Sequence, residues 1–342
     1  MTQHIQISRV QDPLDIESTA EAIAATQSPD GQIPWFLGGK SDPWDMVEAA
    51  MGLTVGGYLA HARRAYRWLA RQQLPDGSWY AAYDPSNRPL DRTRETHLAC
   101  YIAVGLDHYH RVSADREFIQ ELWPTVRRAV AFALAHQTAS GEIYWAVSPQ
   151  GEVDPMALLT GCSSIHKSLQ CAENLAQIMG RRCPEWARAR RRLARTIATA
   201  PQRFNMTKAR FSMDWFYPIL GGALSGPAAV QRLERGWKKF VIEGQGVRCV
   251  SDQPWVTIAE TCELVLSLAA MGNQAQARIV FSWISGRRDE RGFYWCGYTF
   301  PDITIWPTQP TTWTNAAVLL AADALYGLTP AAGLFRHPRK SA

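Results

Sequence analysis

Two kinds of helical segment alternate along nearly the whole chain, and this alternation limits the fold more than any other feature. Segments at about 17–27, 60–73, 115–137, 185–204, 226–241 and 274–290 carry Arg, Lys or Glu at intervals that leave one polar face. Between them, segments at about 43–58, 95–109, 157–179, 211–224, 256–272 and 311–327 are apolar nearly throughout and rich in small residues. A helix with a polar face belongs outside and one without belongs inside. The pattern therefore predicts an all-α fold: a single (α/α)6 barrel, or toroid, of six inner and six outer helices over residues 15–328, with 1–14 as an N-terminal extension and 329–342 as a C-terminal tail. No apolar run has strand character, so no substantial sheet is expected.

The links give the barrel a direction. Inner-to-outer links are short, often at Gly (Gly57, Gly180, Gly272), as antiparallel helix pairs require. Outer-to-inner links are long, at 28–42, 74–94, 138–156, 242–255 and 291–310, with 205–210 the exception. They gather where the inner helices begin, and they hold many of the 14 Trp, among them Trp35, Trp79, Trp145, Trp255, Trp295 and Trp306. An aromatic mouth at the N-terminal ends of the inner helices is the expected site. Four junctions repeat: Gln27 to Gly31 and Trp35, Gln73 to Gly77 and Trp79, Gln137 to Gly141 and Trp145, and Arg288 to Gly292 and Trp295. In each, Gly supplies a left-handed residue that ends a helix and the aromatic packs the following loop.

Composition removes other classes. With 46% apolar and 20% charged residues the chain is neither disordered nor fibrous. No apolar run approaches a membrane span and Met1 to Arg9 lacks a signal-peptide core, so a cytoplasmic protein is expected. The seven scattered cysteines suggest neither a disulfide framework nor a zinc ribbon. The net charge of +5 gathers largely in Arg181, Arg182, Arg188, Arg190, Arg191, Arg192 and Arg195, the solvated face of one helix, and no nucleic-acid motif accompanies it. Cys162 and His166 have the i,i+4 spacing of a metal pair but no evident third ligand, so no metal is expected. Gly38-Gly39-Lys40-Ser41 lacks the first Gly and the preceding strand of a phosphate loop. No cofactor is called for, and a small molecule is the expected partner.

Four carboxylates fall in or near the first turns of inner helices: Glu48, Glu95, Asp214 and Glu260. Asp214, in Phe211-Ser-Met-Asp-Trp-Phe-Tyr-Pro218, has apolar neighbours that would raise its pKa, or it could cap its helix. Glu260 lies on a helix too apolar for a free charge, and Glu263 is one turn on and could share its face. Each has a structural alternative, a buried pair with an Arg. The expected catalytic set is Asp214, Glu260, Glu95 and Glu48. The expected substrate contacts are Trp35, Trp44, Trp79, His97, Trp145, Ser163, His166, Trp215, Tyr217, Trp255, Trp295, Trp306 and Trp313.

The stretch Trp44-Asp-Met-Val-Glu-Ala-Ala-Met-Gly-Leu, continued by Arg63 to the Gln-x3-Gly-x-Trp ending at Trp79, resembles the repeat of the terpenoid cyclase and protein prenyltransferase toroid superfamily. Ala259 to Gly272 and Thr311 to Leu320 match it more loosely. The resemblance implies acid-initiated chemistry on an isoprenoid-type substrate, with aromatic faces stabilising a cation. Departures bear on that implication: there is no Asp-x-Asp-Asp acid motif, Asp42-Pro-Trp-Asp45 has a different spacing, and DDxxD and prenyltransferase zinc patterns are missing. Six-hairpin glycosidases share the barrel and need only a carboxylate pair, so a glycoside hydrolase or lyase acting on a saccharide is the alternative. A noncatalytic ligand-binding toroid is the third reading. Cavity shape separates the first two: a deep apolar pocket suits an isoprenoid, paired carboxylates suit a sugar.

Overall fold

The computed structural model describes residues 15–289 and 291–338. Its helices are α1 (Ile16–Ala24), α2 (Pro43–Val55), α3 (Leu59–Gln72), α4 (Thr96–Cys100), α5 (Ile102–Ser113), α6 (Arg116–Ala135) and α7 (Leu159–Ile178). The second half adds α8 (Pro184–Thr199), α9 (Ser212–Leu220), α10 (Gly226–Phe240), α11 (Ile258–Ala270), α12 (Gln274–Ser282) and α13 (Thr312–Tyr326). Packing follows the predicted alternation. In order around the ring, α2, α4 with α5, α7, α9, α11 and α13 each pack on the next, and α13 returns to α2. The remaining six helices lie outside. Every residue of α11 is buried, whereas α3 buries only Ala62, Ala65, Tyr66, Trp68 and Leu69 along one face.

The described residues form the toroid, with two adjustments to the expected elements. The inner segment over 95–109 is two helices separated at Tyr101. Three small sheets occur, with strands of two or three residues, all within the links that enter inner helices or their flanks. These links pair with one another because their backbone groups at the mouth need partners. The proposed N-terminal extension, 1–14, lies outside the described residues.

The glutamine repeat is an outer-ring seam. Gln27 Nε2 donates to Gly31 O at 3.1 Å and to His61 O at 3.0 Å, and Arg64 of α3 donates to its Oε1 at 2.7 Å. Gln73 repeats this with Gly77 O, Thr125 O and Arg128 of α6, and Gln137 with Gly141 O, Ala189 O and Arg192 of α8. Gly31, Gly77 and Gly141 have φ of 102°, 93° and 110° and lie against the next outer helix, where a Cβ would overlap its atoms. Gly292 takes the same place against Ser18 of α1. Each seam joins one outer helix to its successor.

The chain after α13 crosses the far end of the barrel. Leu334 is buried, its carbonyl accepts from Lys167 Nζ of α7 at 2.5 Å, and His337 N donates to Ala270 O at the end of α11 at 3.0 Å. His337 Nε2 also lies 2.7 Å from Ile219 O of α9. Among the described residues, no helix is long and apolar enough to cross a membrane.

Candidate active site

The site begins with the local chemistry of α2. Asp42 caps the helix, its Oδ1 accepting from Asp45 N at 2.9 Å, and Pro43 follows at the first helical position. Its Oδ2 accepts from Trp35 Nε1 at 2.6 Å, tying the preceding link to the cap. Trp44, Asp45 and Glu48 then stand in the first two turns. Together with the first turns of α4, α7, α9, α11 and α13 they line a cavity of about 580 Å³ at the expected mouth.

Aromatic rings and carboxylates meet at its base. Trp44 stacks on Tyr101 with ring centres 4.2 Å apart and planes 9° apart. Trp44 Nε1 and Tyr101 OH both donate to Glu48 Oε1, at 2.9 and 3.2 Å, and Tyr217 OH donates to Glu263 Oε1 at 2.6 Å. Seven carboxylates line the cavity: Asp42, Asp45, Glu48, Asp91, Glu95, Glu260 and Glu263. Lys40 is the one Lys or Arg among its lining residues, with Nζ 3.9 Å from the Trp35 ring centre.

Crowding of acids out of water raises their pKa values. Burial pushes Glu48 up to about 7 against its two hydrogen-bond donors, with the charges of Asp42 and Glu260 adding to the rise. Burial and then the charges of Asp42 and Asp91 push Glu95 up to about 7. Asp45 is held well above the usual carboxylate range by burial and by Asp42 and Glu48, and Glu263 by burial and by Glu48 and Glu260. Burial brings His97 down to about 4, so its Nε2, 3.2 Å from Glu95 Oε2, meets that carboxyl group as a neutral imidazole. Among the described cavity-lining carboxylates, only Glu260 has a buried oxygen, Oε2, with no hydrogen bond.

Of the residues expected at the site, Glu48, Glu95, Glu260, Trp35, Trp44, His97 and Trp313 line this cavity, and Tyr217 supports its base through Glu263. Asp214 does not reach the mouth. Its Oδ1 accepts from Thr160 Oγ1 at 2.9 Å and Thr160 N at 3.3 Å, and it faces a separate cavity of about 430 Å³ beside α8 and α10. Its neighbour Met213 takes the mouth position instead, because successive residues on a helix point about 100° apart.

Other expected contacts are structural in their surroundings. Trp79 is buried and donates to Leu69 O at 2.7 Å, and Trp145 lies outside the cavity lining, its carbonyl accepting from Thr96 N. Ser163 Oγ donates back to Leu159 O, His166 Nδ1 lies 2.8 Å from Gly221 O, and Cys162 Sγ contacts Ile143 O. Trp215 stacks on Phe240 and donates to Arg232 O. Trp255, on the strand leading into α11, and Trp306, on the link into α13, form an edge-to-face pair with centres 5.1 Å apart, and Trp295 lines a small cleft with Pro307 and Pro310. Site residues absent from the expected set are Asp42, Asp45, Asp91, Glu263, Tyr101 and Lys40, with the apolar lining residues Leu90, Leu98 and Met213. The signal for the first two was present in Asp42-Pro-Trp-Asp45-Met-Val-Glu48: a cap, a proline at the first helical position, and acids spaced by three.

No family model matches the chain. It is 48% identical over 324 residues, 95% of its length and 89% of the relative's, to the MMP endo-(1,4)-3-O-methyl-alpha-D-mannosidase of Mycolicibacterium hassiacum. Its fold matches a glycosidase solved with glucose, at 17% identity and a TM-score of 0.72 over 93% of this chain and 97% of the other. It likewise matches a D-mannose isomerase, at 13% identity and a TM-score of 0.70 over 96% and 99%. The isoprenoid reading finds no support in these relatives, nor in a cavity whose lining carries seven carboxylates. A toroid fold, a mouth rich in carboxylates and near-full-length identity of 48% agree: the chain is an enzyme, and it belongs to the glycosidase family of this Mycolicibacterium endo-mannosidase.

Proposed function

We propose that the chain hydrolyses α-(1→4) bonds between 3-O-methylmannose units within a chain, with Asp45 as general acid and Glu260 as general base. The observation that carries the chemistry is the array of acids on α2 and α11 around one cavity, which offers the two carboxyl roles that glycoside hydrolysis needs. The substrate follows from the relative, whose name specifies that linkage and sugar.

A general acid must hold a proton at neutral pH, and burial, followed by the charges of Asp42 and Glu48, pushes Asp45 in that direction. Glu48 and Glu263 are also raised, but each already accepts from aromatic donors, which ties them to the base of the cavity. Glu260 lines the cavity, and its Oε2 accepts no hydrogen bond that would compete for a proton. Asp45 and Glu260 come from different inner helices, separated in the ring by α13, and an inverting mechanism uses two such carboxyl groups on opposite sides of the bond with a water between them. Asp45 protonates the departing glycosidic oxygen, Glu260 takes a proton from the attacking water, and the C–O bond breaks as the new one forms. Trp35, Trp44 and Trp313 offer faces to sugar rings.

The test uses a 3-O-methylated α-(1→4)-mannose oligosaccharide, with products separated by chromatography and the first-formed anomer read by NMR. Asp45→Asn and Glu260→Gln should each lower kcat by roughly 10²–10⁴-fold with the fold retained, and the first product should be the β-anomer. Turnover within a few-fold of wild type in either variant would remove that residue, and an α-anomeric first product would replace inversion by retention.

A further inference from the structure

The cavity has two unlike halves. Going round the ring, α11, α13 and α2 are consecutive, and they supply Glu260, Glu263, Asp45 and Glu48 with Trp44 and Trp313. Of the other consecutive helices, α4 and α9 supply Leu98 and Met213, the N-cap of α7 supplies Leu158, and the hairpin that leads into α4 supplies Ala81, Ala82 and Leu90. Leu90, in the cavity lining, is 60% exposed. Its aliphatic side chain is available to an apolar group of a ligand seated in the cavity. The polar groups on this side are Asp91, Glu95, His97 and Thr160. They interrupt the apolar surface without matching the acid density opposite.

Resting on the hydrolase reading above, we propose that Leu90, Leu98 and Met213 form the wall that receives the O-methyl groups of the substrate and sets its preference for methylated over unmethylated mannose. The argument is one of hydrogen-bond accounting. A free sugar hydroxyl can serve these acids in either state, donating to a carboxylate or accepting from a protonated carboxyl group. A methyl ether oxygen can only accept, so a methylated position turned toward α2 and α11 gives up half of those pairings and sets its methyl group against polar oxygens. Turned toward α4, α7 and α9, the same methyl group leaves water for aliphatic carbon and loses nothing. Hydroxylated edges therefore face the acids and methylated edges face the leucines.

The experiment compares kcat/KM on two α-(1→4)-mannose oligosaccharides of equal length, one 3-O-methylated and one unmethylated, with melting temperature as the check on folding. Wild type should prefer the methylated substrate by roughly 10–200-fold, the range for one carbon group in an apolar pocket. Leu90→Asn, on an exposed hairpin position that tolerates change, and Met213→Gln should each lower that ratio by about tenfold. Leu37→Asn, 79% exposed on the link into α2, should leave it unchanged. An unaltered ratio in both wall variants, or a wild-type enzyme that prefers neither substrate, would overturn the assignment while leaving mannoside hydrolysis intact. Hydrolysis of neither substrate by wild type would overturn the hydrolase reading, and the wall with it.

Discussion

Glu48→Gln should make the protein more stable at neutral pH, and the gain can be worked from the structure. The folded-state value of about 7 compares with about 4.5 for a free glutamate. Below pH 4.5 the carboxyl group is protonated in both states and contributes nothing. Between 4.5 and 7 the unfolded chain gives up its proton while the folded chain keeps it, so stability falls as pH rises. Above 7 the full difference is lost, up to about 3 kcal/mol at 1.36 kcal/mol per unit. Glutamine removes this loss and keeps an oxygen for Trp44 Nε1 and Tyr101 OH. An unfolding entropy of about 2.1 cal/mol/K per residue over 342 residues is roughly 0.7 kcal/mol/K, so the gain corresponds to about 4 °C in Tm. Thermal unfolding by circular dichroism at pH 4.5, 6 and 7.5 measures it. The variant should match wild type at pH 4.5 and exceed it progressively above. An equal gain at all three values, or a loss at pH 7.5, would refute the idea that Glu48 is an acid strained by burial.

Gln73→Ala removes two bonds to backbone carbonyls and the anchor of Arg128, so it should cost about 2–3 kcal/mol at roughly 1 kcal/mol each, or about 3–4 °C in Tm. Combined with Gln137→Ala the losses should add to within about 0.5 kcal/mol, because the two seams share no partner; a Tm unchanged in the single variant would show that the seam carries no stability. Asp214→Asn keeps an oxygen for Thr160 N and Oγ1 and should alter neither turnover nor Tm appreciably. A fall of roughly 10²-fold in kcat with Tm retained would return Asp214 to the catalytic set.

The architecture was legible because burial imposes itself on every residue of an inner helix. A segment such as 258–270, apolar apart from two acids and the hydroxyls of Thr261 and Ser267, has no solvated face to offer, and its place inside the ring follows. Link lengths then located the mouth, since a long link has to lie beyond the helix it enters. Angular position was harder to read. Asp214 and Glu260 are each the third residue of an inner helix, yet Glu260 faces the cavity and Asp214 faces α7 and α10, and no pattern of polarity in Phe211 to Pro218 distinguishes the two orientations. Asp42 and Asp45 depart from the spacing of an Asp-x-Asp-Asp motif because Asp42 is a helix cap and Asp45 stands one turn beyond it. The repeated tryptophans suggested substrate contacts, but Trp79 spends its indole on Leu69 O in the outer layer, and a sequence repeat reports whichever interaction recurs.

The segment over the far end of the barrel has a consequence for traffic. Leu334 and His337 hold it against α7, α9 and α11, and the stacked rings of Trp44 and Tyr101 floor the cavity from the other side. Among the described residues the barrel is thus a cup with one door. On the proposed hydrolysis of a polymer, the substrate cannot thread through and has to be laid over the rim and dipped in, and every fragment released must leave by the way the next one enters. Departure and arrival compete for the same opening, which makes inhibition by short reaction products an expected property of this architecture, visible as a curved progress trace that straightens when fragments are removed as they form.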